Sequence, residues 1–99
     1  MLNIKTNLKG ERLTVALEGR LDTTTAPELE SCLQESISDV KELVMDFEKL
    51  DYISSTGLRV LLSTQKVMNK QGSMKLCHVN ESIMEILEVT GFVDILTIE

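Results

Sequence analysis

The sequence contains few of the residue types on which several functional classes depend. Its 99 residues include one histidine, one proline, two cysteines, no tryptophan and three other aromatic residues. With so few aromatic rings, a surface on which nucleic-acid bases stack is not expected. The formal net charge of −6 also argues against binding to nucleic acid or to an anionic membrane. We therefore predict no nucleic-acid partner, and read the acidity as an aid to solubility or as a match for a basic partner surface.

Targeting and redox signals are equally sparse. Cys32 and Cys77 lie far apart and match no metal-binding or redox spacing, so we interpret them as buried free thiols in a reducing compartment. The first residues lack the charged and then apolar pattern of a signal peptide. No apolar run approaches membrane-spanning length. We expect a cytoplasmic protein that does not insert into a membrane and that holds neither a cofactor nor a metal.

Alternating apolar residues predict the strands. Residues 2–8 and 13–17 alternate with polar residues on either side of a turn, which is typical of a hairpin. The nearly continuous apolar run at 43–47 predicts a central strand covered on both faces. Two further strands are predicted at 74–79 and 93–98.

Helical patterns separate these strands. Thr25 and Glu28 have the spacing of a capping box, and the apolar residues that follow predict a helix from about Ala26 to Ser38. A second amphipathic helix follows Gly57, and a third begins after Asn80. The predicted order is β-β-α-β-α-β-α-β, an α/β fold in which a mixed β-sheet has helices packed against it. We expect residues 1–99 to form one domain.

Catalytic constellations are scarce. His78 is the only histidine, and we interpret it as an exposed residue at the end of a strand. Asp46, Glu48 and Asp51 are close in sequence, but such charges usually mark the solvated end of a strand. The chain has no glycine-rich phosphate loop and no metal-binding motif. The sequence therefore predicts a protein that is not an enzyme.

A run of three hydroxyl residues is the strongest functional signal. Ser54, Ser55 and Thr56 follow the central strand, and an amphipathic helix begins beside them at Gly57. A helix start presents unpaired N–H groups and the positive end of the helix dipole, so a phosphate would be tolerated there. Capping of the helix explains one hydroxyl, and glycine permits close packing. Three hydroxyls exceed the need of one cap, which leaves a second role open.

These residues also carry a family resemblance. The stretch Asp46-Phe-x-x-Leu-x-Tyr-Ile, followed by Ser54-Ser-Thr-Gly-Leu58, resembles the signature of anti-sigma factor antagonists, the bacterial members of the STAS domain family. The segment Gly19-Arg-Leu-Asp22 resembles a second family motif, and 86–92 resembles the third helix and the turn after it. The resemblance covers nearly the whole chain in the expected order.

The resemblance implies a phosphorylation site. The family motif is commonly Asp-Ser-Ser/Thr-Gly, and the serine after the aspartate is phosphorylated. On this chain that serine is Ser55, and Ser54 stands in the aspartate position. Ser54 and Thr56 are rival acceptors. Arg20 stands where the family commonly has an acidic residue.

A partner-switching function follows from the same resemblance. The unphosphorylated protein would bind an anti-sigma factor that is also a serine kinase and so free a sigma factor, and a serine phosphatase would reset the phosphorylated form. The expected partner-binding residues are Asp22, Ser54, Ser55, Thr56, Gly57 and Leu58. Asp22 is equally consistent with a pre-helix residue that contacts no partner. We expect a monomer.

Two other classes of function remain open from the sequence. One is a STAS adaptor subunit of a membrane transport complex, without a phosphorylation cycle. The other is a domain that binds a nucleotide or another small anion at the helix start.

Overall fold

Strands and helices alternate along the chain in the order that the sequence predicts, up to the last element. The computed structural model describes residues 2–99. The elements are β1 (Leu2–Lys9), β2 (Arg12–Leu21), α1 (Ala26–Ser36), β3 (Glu42–Ile53), α2 (Ser55–Gln71), β4 (Ser73–Cys77), α3 (Glu81–Thr90) and a 3-10 turn (Phe92–Asp94). The predicted α/β fold class is confirmed.

The four strands form one mixed sheet in the order β1-β2-β3-β4. The first two strands are antiparallel, which confirms the predicted hairpin, and β2, β3 and β4 run parallel to one another. Each parallel pair is joined through a helix, and such crossovers are almost always right-handed. Because both crossovers step in the same direction across the sheet, α1 and α2 cover the same face.

The two faces of the sheet therefore differ. Val15, Met45 and Leu76 are partners in one row across the strands, and all three are fully buried. The next row contains Asp46 and Cys77, which are only half-buried. We call the face of this second row the open face. The prediction that residues 43–47 are covered on both faces holds in part, because Val44 is buried on the open face, whereas Asp46 on that face is only half-buried.

The predicted capping box at the start of α1 is also wrong. Thr25 has helical backbone angles, and its hydroxyl makes no capping hydrogen bond. The hydroxyl instead accepts a hydrogen bond from the backbone N–H of Asp22 at 2.8 Å and donates one to the carbonyl oxygen of Arg20 at 2.8 Å. It closes the turn between β2 and α1, so it is not available to cap. The helix ends at Ser36, two residues before the predicted end.

The C-terminal segment departs most from the sequence prediction. The strand predicted at 93–98 is wrong, because Phe92–Asp94 form a 3-10 turn and only Ile98 makes a β-bridge, to Leu76 of the edge strand β4. Leu96 is buried in the core, so the segment packs as an irregular cover. The preceding helix agrees with prediction: Asn80 caps it by accepting from the N–H of Ile83 at 2.9 Å.

Among residues 2–99, no helix has both the length and the apolar character needed to cross a bilayer.

Gly72, at the end of α2, provides a test of how closely the elements pack. A Cβ atom at this position would lie 1.8 Å from the backbone carbonyl oxygen of Lys41. Because backbone cannot rotate away, we expect Gly72→Ala to lower the free energy of unfolding by about 3 kcal/mol, at the upper end of overpacking costs. Urea denaturation followed by circular dichroism measures it.

Gly10→Ala is the matched control for Gly72→Ala. No atom lies within 4 Å of a Cβ at this position, but its φ is +61°. The expected loss is therefore the left-handed backbone penalty alone, about 1 kcal/mol. Equal losses in the two variants would contradict the close packing of Gly72 against Lys41.

Candidate functional site

The candidate site lies where β2 and β3 end and where α1 and α2 begin. Leu21 and Ile53 are partners at the end of the parallel ladder, and the N–H of Ser54 donates to the carbonyl oxygen of Leu21 at 2.8 Å. Ligand sites in α/β sheets commonly form at such carboxyl ends of parallel strands. We call residues 20–25 and 52–57 together the strand-end site. Asp22 and the three hydroxyls thus share one edge of the sheet, as the sequence predicts.

The three hydroxyl residues occupy three different environments. Ser54 is the N-cap of α2, and its Oγ accepts a hydrogen bond from the N–H of Gly57 at 3.3 Å. Thr56 is half-buried, and its Oγ1 lies 3.5 Å from Oγ1 of Thr23. Ser55 is exposed as the first residue of α2, and among residues 2–99 its hydroxyl has no hydrogen-bond partner. Capping therefore engages one hydroxyl and leaves the next one free.

Gly57 and Leu58 lie beneath this surface. A Cβ on Gly57 would meet Cγ of Leu21 at 2.8 Å and Cγ1 of Ile53 at 3.0 Å, so the first turn of α2 presses directly on the strand ends. The side chain of Leu58 is buried in the core. Both residues hold the hydroxyl run in place from below, and they offer little side-chain surface of their own.

Asp22 organises the other half of the strand-end site. Its Oδ1 accepts hydrogen bonds from the hydroxyl and N–H of Thr24, at 2.8 and 3.0 Å. It also accepts from the N–H of Thr25 at 3.1 Å. The Thr25 hydroxyl, whose proton points to the shorter contact with Arg20, lies 3.2 Å away. The Thr24 hydroxyl and the Thr25 N–H lower the pKa of Asp22 below its usual value. The carboxylate thus stays ionised at the start of α1.

The two helices that begin at this edge differ in the number of acidic residues near their positive, N-terminal ends. The first turn of α1 contains Glu28, and Asp22 lies just before it. The first turn of α2 contains no acidic residue within the described chain. The positive end of the α1 dipole is therefore offset by carboxylates, whereas that of α2 is offset by none of its own.

Arg20 and Tyr52 form a feature that the sequence analysis missed. The guanidinium carbon of Arg20 lies 4.4 Å from the centre of the Tyr52 ring, and its Nε is 3.9 Å from Oδ2 of Asp22. The two residues are partners across the β2–β3 ladder, immediately after a register shift. The pairing of β2 with β3 would place Arg20 beside Tyr52, but it can be predicted only if the register of the two strands is known. The register shift between Gly19 and Arg20 cannot be inferred from the sequence. They add an exposed cation and an aromatic ring to the site.

A second polar cluster lies away from this edge, on the open face. His78 follows β4 and is exposed, as predicted, and its Nδ1 lies 2.9 Å from Oδ1 of Asp46. Ligand atoms of Asp46, Cys77 and His78 all lie within 4.8 Å of one another. Nothing in the spacing of these three residues along the sequence indicates that they meet.

The sequence profile of the STAS domain matches residues 3–99. The chain belongs to the STAS domain family. BtrV of Bordetella bronchiseptica, provisionally named an anti-sigma factor antagonist, is 35% identical over 85 residues, which cover 84% of this chain and 73% of BtrV. An anti-sigma-B factor antagonist of Staphylococcus aureus is 31% identical over 97 residues, which cover 96% of this chain and 90% of that protein. The resemblance inferred from the motifs is thus confirmed.

Solved structures agree with this STAS fold. The crystal structure of an anti-sigma factor antagonist from Mycobacterium paratuberculosis superposes with a TM-score of 0.90 at 20% identity, covering 99% of this chain and 85% of that one. The Bacillus cell fate determinant SpoIIAA in its phosphorylated form superposes with a TM-score of 0.77 at 16% identity, covering 98% of this chain and 91% of that one. At these identities the likeness concerns the fold alone.

The hydrogen bonds to Asp22 predict a pH dependence. Because its pKa is lowered on folding, Asp22 stabilises the protein above its unfolded pKa of 3.8, and the contribution is lost as the pH falls through the lower folded value. We expect Thr24→Ala to raise the pKa of Asp22 toward 3.8, since it removes the largest cause of the shift. Carboxyl NMR titration measures both values.

Thr23→Ala is the matched control for Thr24→Ala, because the Thr23 hydroxyl faces Thr56 and makes no hydrogen bond to Asp22 among the described residues. This variant should leave the pKa of Asp22 unchanged. An equal shift in the two variants would show that the Thr24 hydroxyl does not hold the carboxylate.

Proposed function

We propose that this STAS domain protein is an anti-sigma factor antagonist, and that phosphorylation of Ser55 controls its binding to an anti-sigma factor with serine kinase activity. A serine phosphatase would restore the binding form. The names of the two curated relatives support the antagonist role. The phosphorylated SpoIIAA structure supports a phosphorylated state for a protein of this fold. Binding proteins, rather than enzymes, carry these names.

The different environments of the three hydroxyls support Ser55 as the acceptor. A kinase must bring the hydroxyl oxygen in line with the transferred phosphoryl group, so the acceptor needs an accessible and unengaged side chain. Ser54 holds the N–H of Gly57, and Thr56 is half-buried beside Thr23. The exposure of Ser55 is the observation that carries the proposal. Absence of the family's usual aspartate at Ser54 does not alter that exposure.

The expected effect of the phosphate is local. It adds nearly two negative charges and considerable bulk to an exposed position at a helix start. The unpaired N–H groups of that helix tolerate the charge, so the backbone need not move. A partner surface that fits the unmodified edge would meet a new charge and lose contact. Asp22, Ser54 and Thr56 would contribute to the same docking surface, while Gly57 and Leu58 support it from within.

Phosphopeptide mass spectrometry on the protein from its native cells tests the acceptor. Trypsin cleaves after Lys49 and Arg59, so one peptide, 50–59, contains all three hydroxyl residues. We expect phosphate on Ser55, because it is the exposed hydroxyl. Phosphate on Ser54 or Thr56 would move the acceptor and keep the switch. The absence of phosphate from the whole peptide under all growth conditions would contradict the switch and favour the adaptor function.

Variants of Ser55 test the consequence for binding. We expect Ser55→Asp to weaken binding to the anti-sigma factor at least about tenfold, or about 1.4 kcal/mol, because it places a charge in the interface. Ser55→Ala should bind like the wild type and resist phosphorylation. Calorimetry with the purified anti-sigma factor gives the affinities.

Ser63→Asp is the control for Ser55→Asp, since Ser63 is exposed on the same helix about two turns further on. It should bind like the wild type. Equal affinities of Ser55→Asp, Ser55→Ala and the wild type would refute the proposed interface.

A further inference from the structure

The cluster of Asp46, Cys77 and His78 is not used by the proposed switch. It lies on the open face of the sheet, and Asp46 is seven residues before the end of β3. The three residues supply a carboxylate oxygen, a thiol sulfur and an imidazole nitrogen, all within 4.8 Å of one another. Carboxylate, thiolate and imidazole are ligand types that zinc and similar transition-metal ions bind in proteins.

Strand register brings the first two residues together. Asp46 of β3 and Cys77 of β4 are partners in the parallel ladder, so their side chains point to the same face. That face is the open one, because the neighbouring row of Met45 and Leu76 faces the helices. Both residues are half-buried, so their ligand atoms are partly shielded from water and still reachable by an ion.

A left-handed backbone brings in the third residue. In a regular strand His78 would point to the opposite face from Cys77. Its φ of +58° breaks this alternation, and the imidazole turns back onto Asp46. His78 is the one residue other than glycine with a positive φ among residues 2–99. Such conformations are uncommon for residues with a side chain and cluster at functional sites.

We propose that Asp46, Cys77 and His78 bind a divalent transition-metal ion of the zinc type. The 2.9 Å between Nδ1 of His78 and Oδ1 of Asp46 is a hydrogen-bond distance. It has to lengthen to about 3.4 Å for both atoms to bind one tetrahedral zinc ion, which a small rotation of the exposed imidazole allows. The thiolate and imidazole favour zinc, cobalt or a similar ion over magnesium or calcium. Three protein ligands leave a position open for water on the exposed side.

The surrounding charge supports a cation at this point. Burial raises the pKa of the Cys77 thiol, and the carboxylates of Asp46 and Glu99 raise it further. The carboxylates of Asp46 and Glu99 would also attract a metal ion, whereas burial, the larger cause of the raised pKa, does not. Since thiolate is the form that binds metal, binding transfers the thiol proton to solvent. Lys75 opposes this attraction in part, although its Nζ is paired with Glu99 at 2.8 Å.

Cobalt(II) added to the purified, metal-free protein provides the test. A thiolate ligand gives a charge-transfer absorption in the near ultraviolet, so the spectrum reports on sulfur directly. We expect the band to saturate at one ion per chain and to disappear when zinc displaces cobalt. Zinc should also raise the thermal midpoint of unfolding, because an ion that binds only the folded state stabilises it.

Matched variants assign the ligands. Cys77→Ser should abolish the charge-transfer band and weaken zinc binding at least about tenfold, and Cys32→Ser should do neither, because the second free thiol lies elsewhere on α1. His78→Asn should weaken zinc binding at least about tenfold, and asparagine tolerates the left-handed backbone, so the fold is kept. Circular dichroism confirms that each variant is folded.

Two results would overturn the metal site. One is the absence of a cobalt spectrum at a large excess of the ion over the wild-type protein. The other is zinc affinity that is unchanged in both Cys77→Ser and His78→Asn, which would assign binding to scattered surface carboxylates. Neither result depends on the anti-sigma factor or on Ser55, so the two proposals fail independently.

Discussion

Leu21 and Ile53 are partners in the last position of the parallel β2–β3 ladder, and Gly57 packs against both side chains. Because a Cβ on Gly57 would meet these side chains at 3.0 Å or less, the backbone of the first turn of α2 packs directly against the strand ends, and this contact sets its position. That contact fixes the height of the hydroxyl run above the sheet. It also sets α2 beside α1, since the loop before α1 begins at Asp22, directly after Leu21.

The periodicity of apolar residues predicts most of the helices and strands, because each of these elements buries one face and exposes the other. The hairpin and all three helices follow from apolar spacing, and Asn80 identifies the start of α3. The failures have tertiary causes. Thr25 has the spacing of a capping residue, but its hydroxyl is taken by the turn of Asp22 and Arg20. The final segment has the apolar content of a strand, yet Leu96 is buried without a strand around it.

The candidate site was predictable in part. The motif identifies the hydroxyl run and Asp22, since local sequence determines both. It does not show which hydroxyl is engaged, because the burial and hydrogen bonding of Ser54, Ser55 and Thr56 depend on where each side chain points at the helix start. Arg20 with Tyr52, and Asp46 with His78, depend on strand register and on a left-handed residue. Neither the strand register nor the left-handed conformation of His78 can be predicted from the spacing of residues along the sequence.

The different charge balance of the two helix starts has a consequence for turnover of the protein. At α1 the carboxylates of Asp22 and Glu28 offset the positive pole, whereas the first turn of α2 has no acidic residue in the described chain. Under the proposed switch, a phosphate on Ser55 would supply the missing negative charge. Without its partner, the modified form would then be no less stable than the unmodified form without its partner. Because degradation in cells follows the unfolded population, the released antagonist would persist as a reserve that dephosphorylation returns to use without new synthesis.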